Sequence, residues 1–163
     1  MHNPVDLFSI FGAKYLYLVV IIIAAVWFLR QPRPKQKEIL ILACICLPLI
    51  FVISIIAGHL YYNPRPFVVE GFQPLIPHKA NNGFPSHHVL LLSAISAIIL
   101  LFSRRIGLLL WILTILAGFS RAYTGVHHIV DVIASMLISI IPVTIACLVI
   151  KYFKNLKTRG QLK

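Results

Sequence analysis

The chain has 163 residues, of which 60% are hydrophobic and only 12% charged, and its mean hydropathy of +0.92 exceeds what a water-soluble domain exposes without aggregating. Fifteen Lys and Arg against four Asp and Glu leave a net charge of +11. Those bases sit between long apolar runs, which favours membrane topology over a nucleic-acid partner, and the chain reads as an all-α integral membrane helical bundle forming one domain over residues 1–163.

A hydrocarbon core about 30 Å thick needs roughly 17 to 25 apolar residues per helix. Five segments meet that requirement. The first is Phe11 to Leu29, with Lys14 able to snorkel outward. Asp6 precedes it, no basic cluster opens it, and Trp27-Phe28-Leu29-Arg30 stands where a leader would be cleaved, so this run is expected to remain as a span. A basic, Pro-bearing linker (Arg30 to Glu38) leads to the second span, Ile39 to Tyr61. A long loop follows, Asn63 to Pro85, punctuated by Pro64, Pro66, Pro74, Pro77 and Pro85 and therefore expected to be irregular. The third span is Ser86 to Phe102, and the tight basic turn Ser103 to Arg105 joins it to the fourth, Ile106 to Ala122. A short polar loop around Arg121 to His127 leads to the fifth, His128 to Ile150, and a basic tail ends the chain. Cys44, Cys46 and Cys147 fall inside apolar runs without metal-site spacing and read as small core hydrophobes.

An odd number of spans puts the termini on opposite sides. One side collects Arg30, Arg33, Lys35, Lys37, Arg104, Arg105, Lys151, Lys154, Lys157, Arg159 and Lys163, eleven bases against four (Lys14, Arg65, Lys79 and Arg121) on the other. The excess of bases on the cytoplasmic side sets the C-terminus inside, with the N-terminus and the long loop outside.

Polar residues crowd the outward span ends. Arg65 follows the second span, Ser86, His87 and His88 open the third, Ser120 and Arg121 close the fourth, and His127, His128 and Asp131 open the fifth. Each charge buried in the bilayer costs about 2.5 to 3.5 kcal/mol on insertion scales, so such a collection requires a reason. His127 and Asp131 are four apart on one helical face, where a carboxylate can orient an imidazole for nucleophilic or general-base work; a structural ion pair is the alternative. Arg65 and Arg121 can each grip two oxygens of a phosphate, or snorkel to headgroups. Ser86 adds a hydroxyl and a helix N-terminus that favour phosphate, and His88 on the same first turn could protonate an oxygen leaving phosphorus. Clustered histidines also suggest zinc, but zinc takes three or four converging ligands and no arginines.

The spacing resembles the type 2 phosphatidic acid phosphatase superfamily of membrane lipid phosphatases. Its first motif, Lys, six residues, Arg-Pro, is matched by Arg65-Pro66; its second, Pro-Ser-Gly-His, by Pro85-Ser86-His87-His88; its third, Ser-Arg, five residues, His, three residues, Asp, by Ser120-Arg121, His127 and Asp131. The motifs span Gly58 to Asp131, somewhat under half the chain. In two places the chain departs from the pattern. The motif lysine falls on Gly58, leaving His59 and Lys79 as bases that could replace it, and His87 stands where the superfamily usually has glycine. With Phe84 and the run Arg65-Pro66-Phe67-Val68, these features look most like the bacterial undecaprenyl-diphosphatase branch linked to bacitracin resistance.

The resemblance implies a metal-independent, cofactor-free phosphatase in the bacterial inner membrane, with a lipid diphosphate as substrate and its site facing the exterior. His127 would be the nucleophile, Asp131 its orienting group and His88 the general acid, with Arg65, Pro66, Ser86, Ser120 and Arg121 forming the phosphate site. Phosphatidylglycerophosphate, phosphatidate or lipid A phosphatases, or a phosphotransferase, would use the same residues. For Gln73, His78, Lys79, Asn81 and Asn82 in the long loop, a solvated surface role is expected. A transporter would need ionisable residues toward the midplane, where the apolar runs carry almost none. A structural adaptor with a degenerate site is the remaining alternative, and oligomeric state is not readable.

Overall fold

The computed structural model describes residues 3–160, with side chains described to residue 152. Among the described residues six helices follow in order: α1 Pro4–Leu29, α2 Arg33–Leu60, α3 Pro66–Glu70, α4 His87–Phe102, α5 Arg104–Tyr123 and α6 Ile129–Gly160. Among the described residues there is no strand, only an isolated bridge between Pro64 and Asn82. Of the eleven bases counted on one side above, Lys163 lies outside the described residues, and the side chains of Lys154, Lys157 and Arg159 are not described.

Both N-terminal helices begin earlier than hydropathy indicates. Asn3 caps α1 in a reciprocal box with Asp6: the Asp6 amide donates to Asn3 Oδ1 at 2.8 Å and the Asn3 amide to Asp6 Oδ2 at 3.0 Å. These bonds satisfy amides that a helix start leaves open, so a polar turn becomes helical ahead of the apolar stretch. The linker is likewise mostly helix, since Arg33 to Glu38 form the first turns of α2. Pro34 is tolerated there because the first-turn amides have no intrahelical acceptor.

Four helices, α1, α2, α5 and α6, are long and apolar enough to cross a membrane, whereas α4 has 16 residues. Its position explains its length. One aliphatic cluster joins Leu42, Cys46 and Ile50 of α2 to Leu90 and Ile98 of α4 and Val143 of α6. A second joins Leu16 and Val20 of α1 to Leu92 and Ile99 of α4 and Leu110 of α5. Helix α4 is thus the centre of the bundle, sheathed by α1, α2, α5 and α6, and does not have to match the lipid thickness on its own. The outer surface is apolar, with Ile22, Phe51, Ile112, Phe119 and Ile133 all more than half exposed, a surface suited to lipid and not to water. Cys46 is core as expected, but Cys147 is half-buried and Cys44 exposed among the lipid-facing residues.

Between the helices, hydroxyls supply interactions that apolar contacts alone do not provide in lipid. Asp131, Ser135 and Ser139 recur every fourth residue on the buried face of α6. Ser135 Oγ donates to the Ser86 carbonyl at 3.1 Å and the Asp131 carbonyl at 2.6 Å, and Ser139 Oγ reaches the Leu90 carbonyl at 2.9 Å. Ser96 and Thr114 pair at 3.0 Å between α4 and α5. The Ser135 and Ser139 bonds pin the start of α4 to the first turns of α6, which sets the register of the polar residues at that end.

Candidate active site

At the end of the bundle where α2 and α5 finish and α4 and α6 begin, polar side chains from four segments converge. Two of them are arginines buried to 5% and 4% exposure, Arg65 and Arg121. Arg65 precedes Pro66, which opens the short helix α3; the extended Arg65 backbone turns its side chain inward. Its Nε donates to Asn81 Oδ1 at 3.0 Å and its Nη1 to the Val126 carbonyl at 2.6 Å. Arg121, in the last turn of α5, donates through Nη1 to the Ala13 carbonyl of α1 at 3.3 Å.

Both guanidiniums also aim at one nitrogen. Arg65 Nη1 lies 3.3 Å and Arg121 Nη2 3.2 Å from His127 Nε2. Because arginine only donates, Nε2 must be the unprotonated nitrogen and Nδ1 carries the proton. Nδ1 faces Asp131 Oδ2 at 3.5 Å, long for a hydrogen bond, while the Asp131 carboxylate is held by Asn63 Nδ2 at 2.7 Å and the His128 amide at 2.8 Å. Burial pushes the His127 pKa down to about 4; Asp131 opposes the shift, and Arg121 and Arg65 reinforce it. The imidazole is therefore neutral near pH 7, with its lone pair directed at the two cations. Burial also lowers the Arg65 pKa, countered by Asp131.

The loop between α5 and α6 makes this placement possible. Gly125 adopts φ +79, and the Phe72 ring occupies the space a β-carbon would need. Val126 is fully buried next to it, so His127 is turned inward. His128 points the other way, its Nε2 3.0 Å from the Pro64 carbonyl.

Ser86 stands at the N-cap position of α4 without a side-chain capping bond and is completely buried; His88, half-buried two residues on, rests edge-on to Tyr17 of α1 at 5.2 Å between ring centroids. His88 shares the electrostatic field of Arg121, His127 and His78, whereas His87 is exposed and packs toward α2. Ser120 is buried where α1 crosses α5 at Gly12, a contact with no room for a β-carbon. Four buried side-chain polar atoms lack a hydrogen-bond partner among the described residues, and three belong here: Ser86 Oγ, Arg121 Nε and His127 Nδ1. Such atoms cost about 1 to 3 kcal/mol each when unpaired. No three His, Cys, Asp or Glu side chains among the described residues converge as metal ligands would.

The sequence profile of the PAP2 superfamily matches residues 37–156, well over half the chain. The chain belongs to the PAP2 superfamily. Undecaprenyl-diphosphatase BcrC of Bacillus subtilis (strain 168) is 35% identical over 142 residues, covering 86% of this chain and 72% of that protein. Bacitracin transport permease protein BcrC of Bacillus licheniformis is 32% identical over 143 residues, covering 86% and 68%. The crystal structure of Aquifex aeolicus LpxE superposes with a TM-score of 0.66 at 27% identity, covering 90% of this chain and 87% of the other. This PAP2 protein is thus a multi-pass membrane phosphatase of that superfamily.

At the position of the PAP2 motif lysine, α2 leaves little room. A β-carbon on Gly58 would come within 3.1 Å of the Phe84 carbonyl, and the Gly58 carbonyl accepts from Asn82 Nδ2 at 2.8 Å. Neither proposed replacement base is drawn into the site: His59 is exposed and its Nδ1 lies 2.8 Å from the Ile55 carbonyl of its own helix, and Lys79 is exposed. Three of the loop residues expected at the surface also bond inward, although His78 and Asn81 are exposed and Asn82 is half-buried. Asn81 braces Arg65, Asn82 joins α2 to the second motif through Gly58, Asn63 and Phe84, and His78 Nε2 accepts from Arg121 Nη2 at 3.3 Å. Asn63, beside Asp131, is a further site residue that no motif of the sequence marks. The available signal was their position: asparagines that bond to turn backbone, set directly before the first and second motifs.

Proposed function

We propose that this PAP2 protein removes the terminal phosphate of a polyprenyl (undecaprenyl) diphosphate through a phosphohistidine at His127, on the outer face of the bacterial inner membrane. The observation that carries the reading is the neutral His127 Nε2 held between Arg65 and Arg121 with Asp131 on its other side. A phosphoryl group entering between the guanidiniums takes over their N–H donors and frees the Nε2 lone pair for in-line attack. Nitrogen bonds to phosphorus, the bond from phosphorus to the bridging oxygen breaks, and His88, entering this step as an imidazolium that took its proton from solvent when the polyanion bound, gives that oxygen the proton and becomes neutral. Asp131 stabilises the imidazolium character on Nδ1, a contact expected to shorten when charge develops. In the second step His88 takes a proton from water, whose oxygen attacks phosphorus and releases phosphate and neutral His127. Ser86 and Ser120 supply hydroxyls to the phosphoryl oxygens and Pro66 fixes the backbone that directs Arg65.

An apolar groove of about 620 Å³ supports a lipid substrate. It reaches His127 and Ser120 and is walled by Val5, Phe8, Leu116, Phe119 and Ile129. A hydrocarbon chain can lie there in lipid while its phosphate meets the arginines. The polyprenyl assignment draws on the relatives named undecaprenyl-diphosphatase, and the outward orientation on the eleven-to-four split of bases.

The test is phosphate release in detergent with EDTA present, from undecaprenyl diphosphate, phosphatidate and phosphatidylglycerophosphate, by wild type and His127→Ala. Release by wild type alone, fastest on the polyprenyl lipid, is expected. A glycerolipid preference would retain the mechanism and replace the substrate; no release from any lipid would favour a non-catalytic adaptor.

A further inference from the structure

His78 belongs to the loop between α3 and α4, 49 residues before His127, yet it stands over the phosphoryl site. Its placement is built in. Ile76, two residues earlier, is 5% exposed and packs with Ala13 and Val126, and the Leu75 amide donates to the Thr124 carbonyl at 3.1 Å. The loop is therefore tied down on α1 and on the turn that carries His127, and His78, two residues beyond Ile76, reaches Arg121 and His127. Arg121 Nη2 has two hydrogens and uses them on two imidazoles, His127 Nε2 at 3.2 Å and His78 Nε2 at 3.3 Å. The two rings meet edge to face, with centroids 6.1 Å apart.

Resting on the diphosphatase reading above, we infer that His78 is a substrate-binding residue that contacts the second phosphate of a diphosphate and so discriminates diphosphates from single phosphates. A phosphorus poised for attack lies about 3 to 3.5 Å from Nε2 of His127. Its oxygens then take the Arg121 donors, which releases the His78 ring. A single phosphate leaves that ring facing solvent. A diphosphate extends a further charged group into the shell where His78 stands, and an imidazole that takes up a proton from solvent presents two N–H donors to it. Burial together with the charges of Arg65 and Arg121 lowers the His78 pKa in the free protein, and an arriving polyanion offsets those two charges. His78 is also exposed on its outer side, which leaves space for the additional group.

The test is competition by inorganic diphosphate and orthophosphate against turnover of whichever lipid phosphate the purified wild type hydrolyses, repeated in His78→Ala and His78→Gln. Wild type is expected to bind inorganic diphosphate more tightly than orthophosphate, and that ratio to fall by about tenfold in His78→Ala, the scale of a lost hydrogen bond to a charged group. The lipid counterpart is the ratio of kcat/KM for undecaprenyl diphosphate to that for phosphatidate, which should fall in parallel, mainly through KM. An unchanged inorganic ratio in both variants overturns the assignment of His78. Inorganic discrimination that depends on His78 in an enzyme preferring phosphatidate would uphold the contact and overturn the substrate reading instead.

Discussion

Asn63 Nδ2 donates to Asp131 Oδ1 at 2.7 Å, joining residues 68 positions apart. The carboxylate is fully buried, and with the His128 amide on its other oxygen it is oriented before any contact with His127 is counted. Asn63→Ala removes one of its two closest donors. Turnover should fall by about tenfold to a hundredfold, the range set by an unsatisfied buried acceptor, with KM changed less than kcat. Asn63→Asp sets a like charge against Asp131 and should cost more than the alanine variant. Steady-state kinetics on the two proteins decide this, and equal activity to wild type would remove Asn63 from the site.

His127→Ala is expected to abolish turnover while leaving the thermal transition in detergent within a few degrees of wild type. Asp131→Asn should reduce kcat by about 10³ to 10⁴, as for other histidines deprived of their orienting carboxylate. Rapid quenching of wild type should recover an acid-labile, base-stable phosphoenzyme that is missing from His127→Ala. Finding that label in the alanine variant would exclude His127 as the nucleophile.

The lowered His127 pKa sets the sign of a pH effect. Only the neutral form has a lone pair to donate, and that form persists as pH falls until the folded pKa of about 4 is approached. Imidazole nitrogen NMR should therefore find His127 neutral, protonated on Nδ1, at pH 6, where exposed histidines have begun to charge. The same shift bears on stability. Between about pH 6.5 and 4 the unfolded chain takes up a proton here that the folded chain refuses, so stability contributed by this position is intact above that window and declines as pH falls through it. A His127 that titrates near 6.5 would contradict the burial argument.

Gly58→Lys restores the lysine of the PAP2 motif in sequence but not in space. Its β-carbon meets the Phe84 carbonyl at 3.1 Å, immediately before Pro85 and Ser86. The substitution improves helix propensity by up to about 1 kcal/mol yet pushes on the segment that positions Ser86. Turnover is expected to drop severalfold. A gain in kcat/KM would mean that the position accepts a phosphate-binding lysine after all.

Gly125→Ala forces a β-carbon into a left-handed turn and against the Phe72 ring. The backbone penalty alone is about 1 to 2 kcal/mol, and the turn directly precedes Val126 and His127. Lower thermal stability together with reduced turnover is expected; Phe72→Ala in the same background should recover part of the stability and leave the backbone penalty.

Hydropathy is a sum over neighbours along the chain, so the membrane-spanning character of the long helices and the loop between the second and third spans were legible without coordinates. The pairing of His127 with Asp131 is also local, because one helical turn brings residues four apart onto one face. Helix starts were less legible, since Asn3, Asp6 and Pro34 act through capping and first-turn geometry that hydropathy does not register.

The class of protein, its apolar helices and the family motifs at their ends therefore follow from residues that are neighbours along the chain. The tertiary structure alone decided which loop residues enter the site, since His78, Asn63, Asn81 and Asn82 have the same local signature whether solvated or directed inward. It also decided that α4 can be short because it is sheathed, that His127 faces the arginines while His128 turns to Pro64, and that α2 abuts the Phe84 carbonyl at Gly58. Each of these depends on contacts between distant segments, and such contacts follow from how the helices pack and not from the residues on either side.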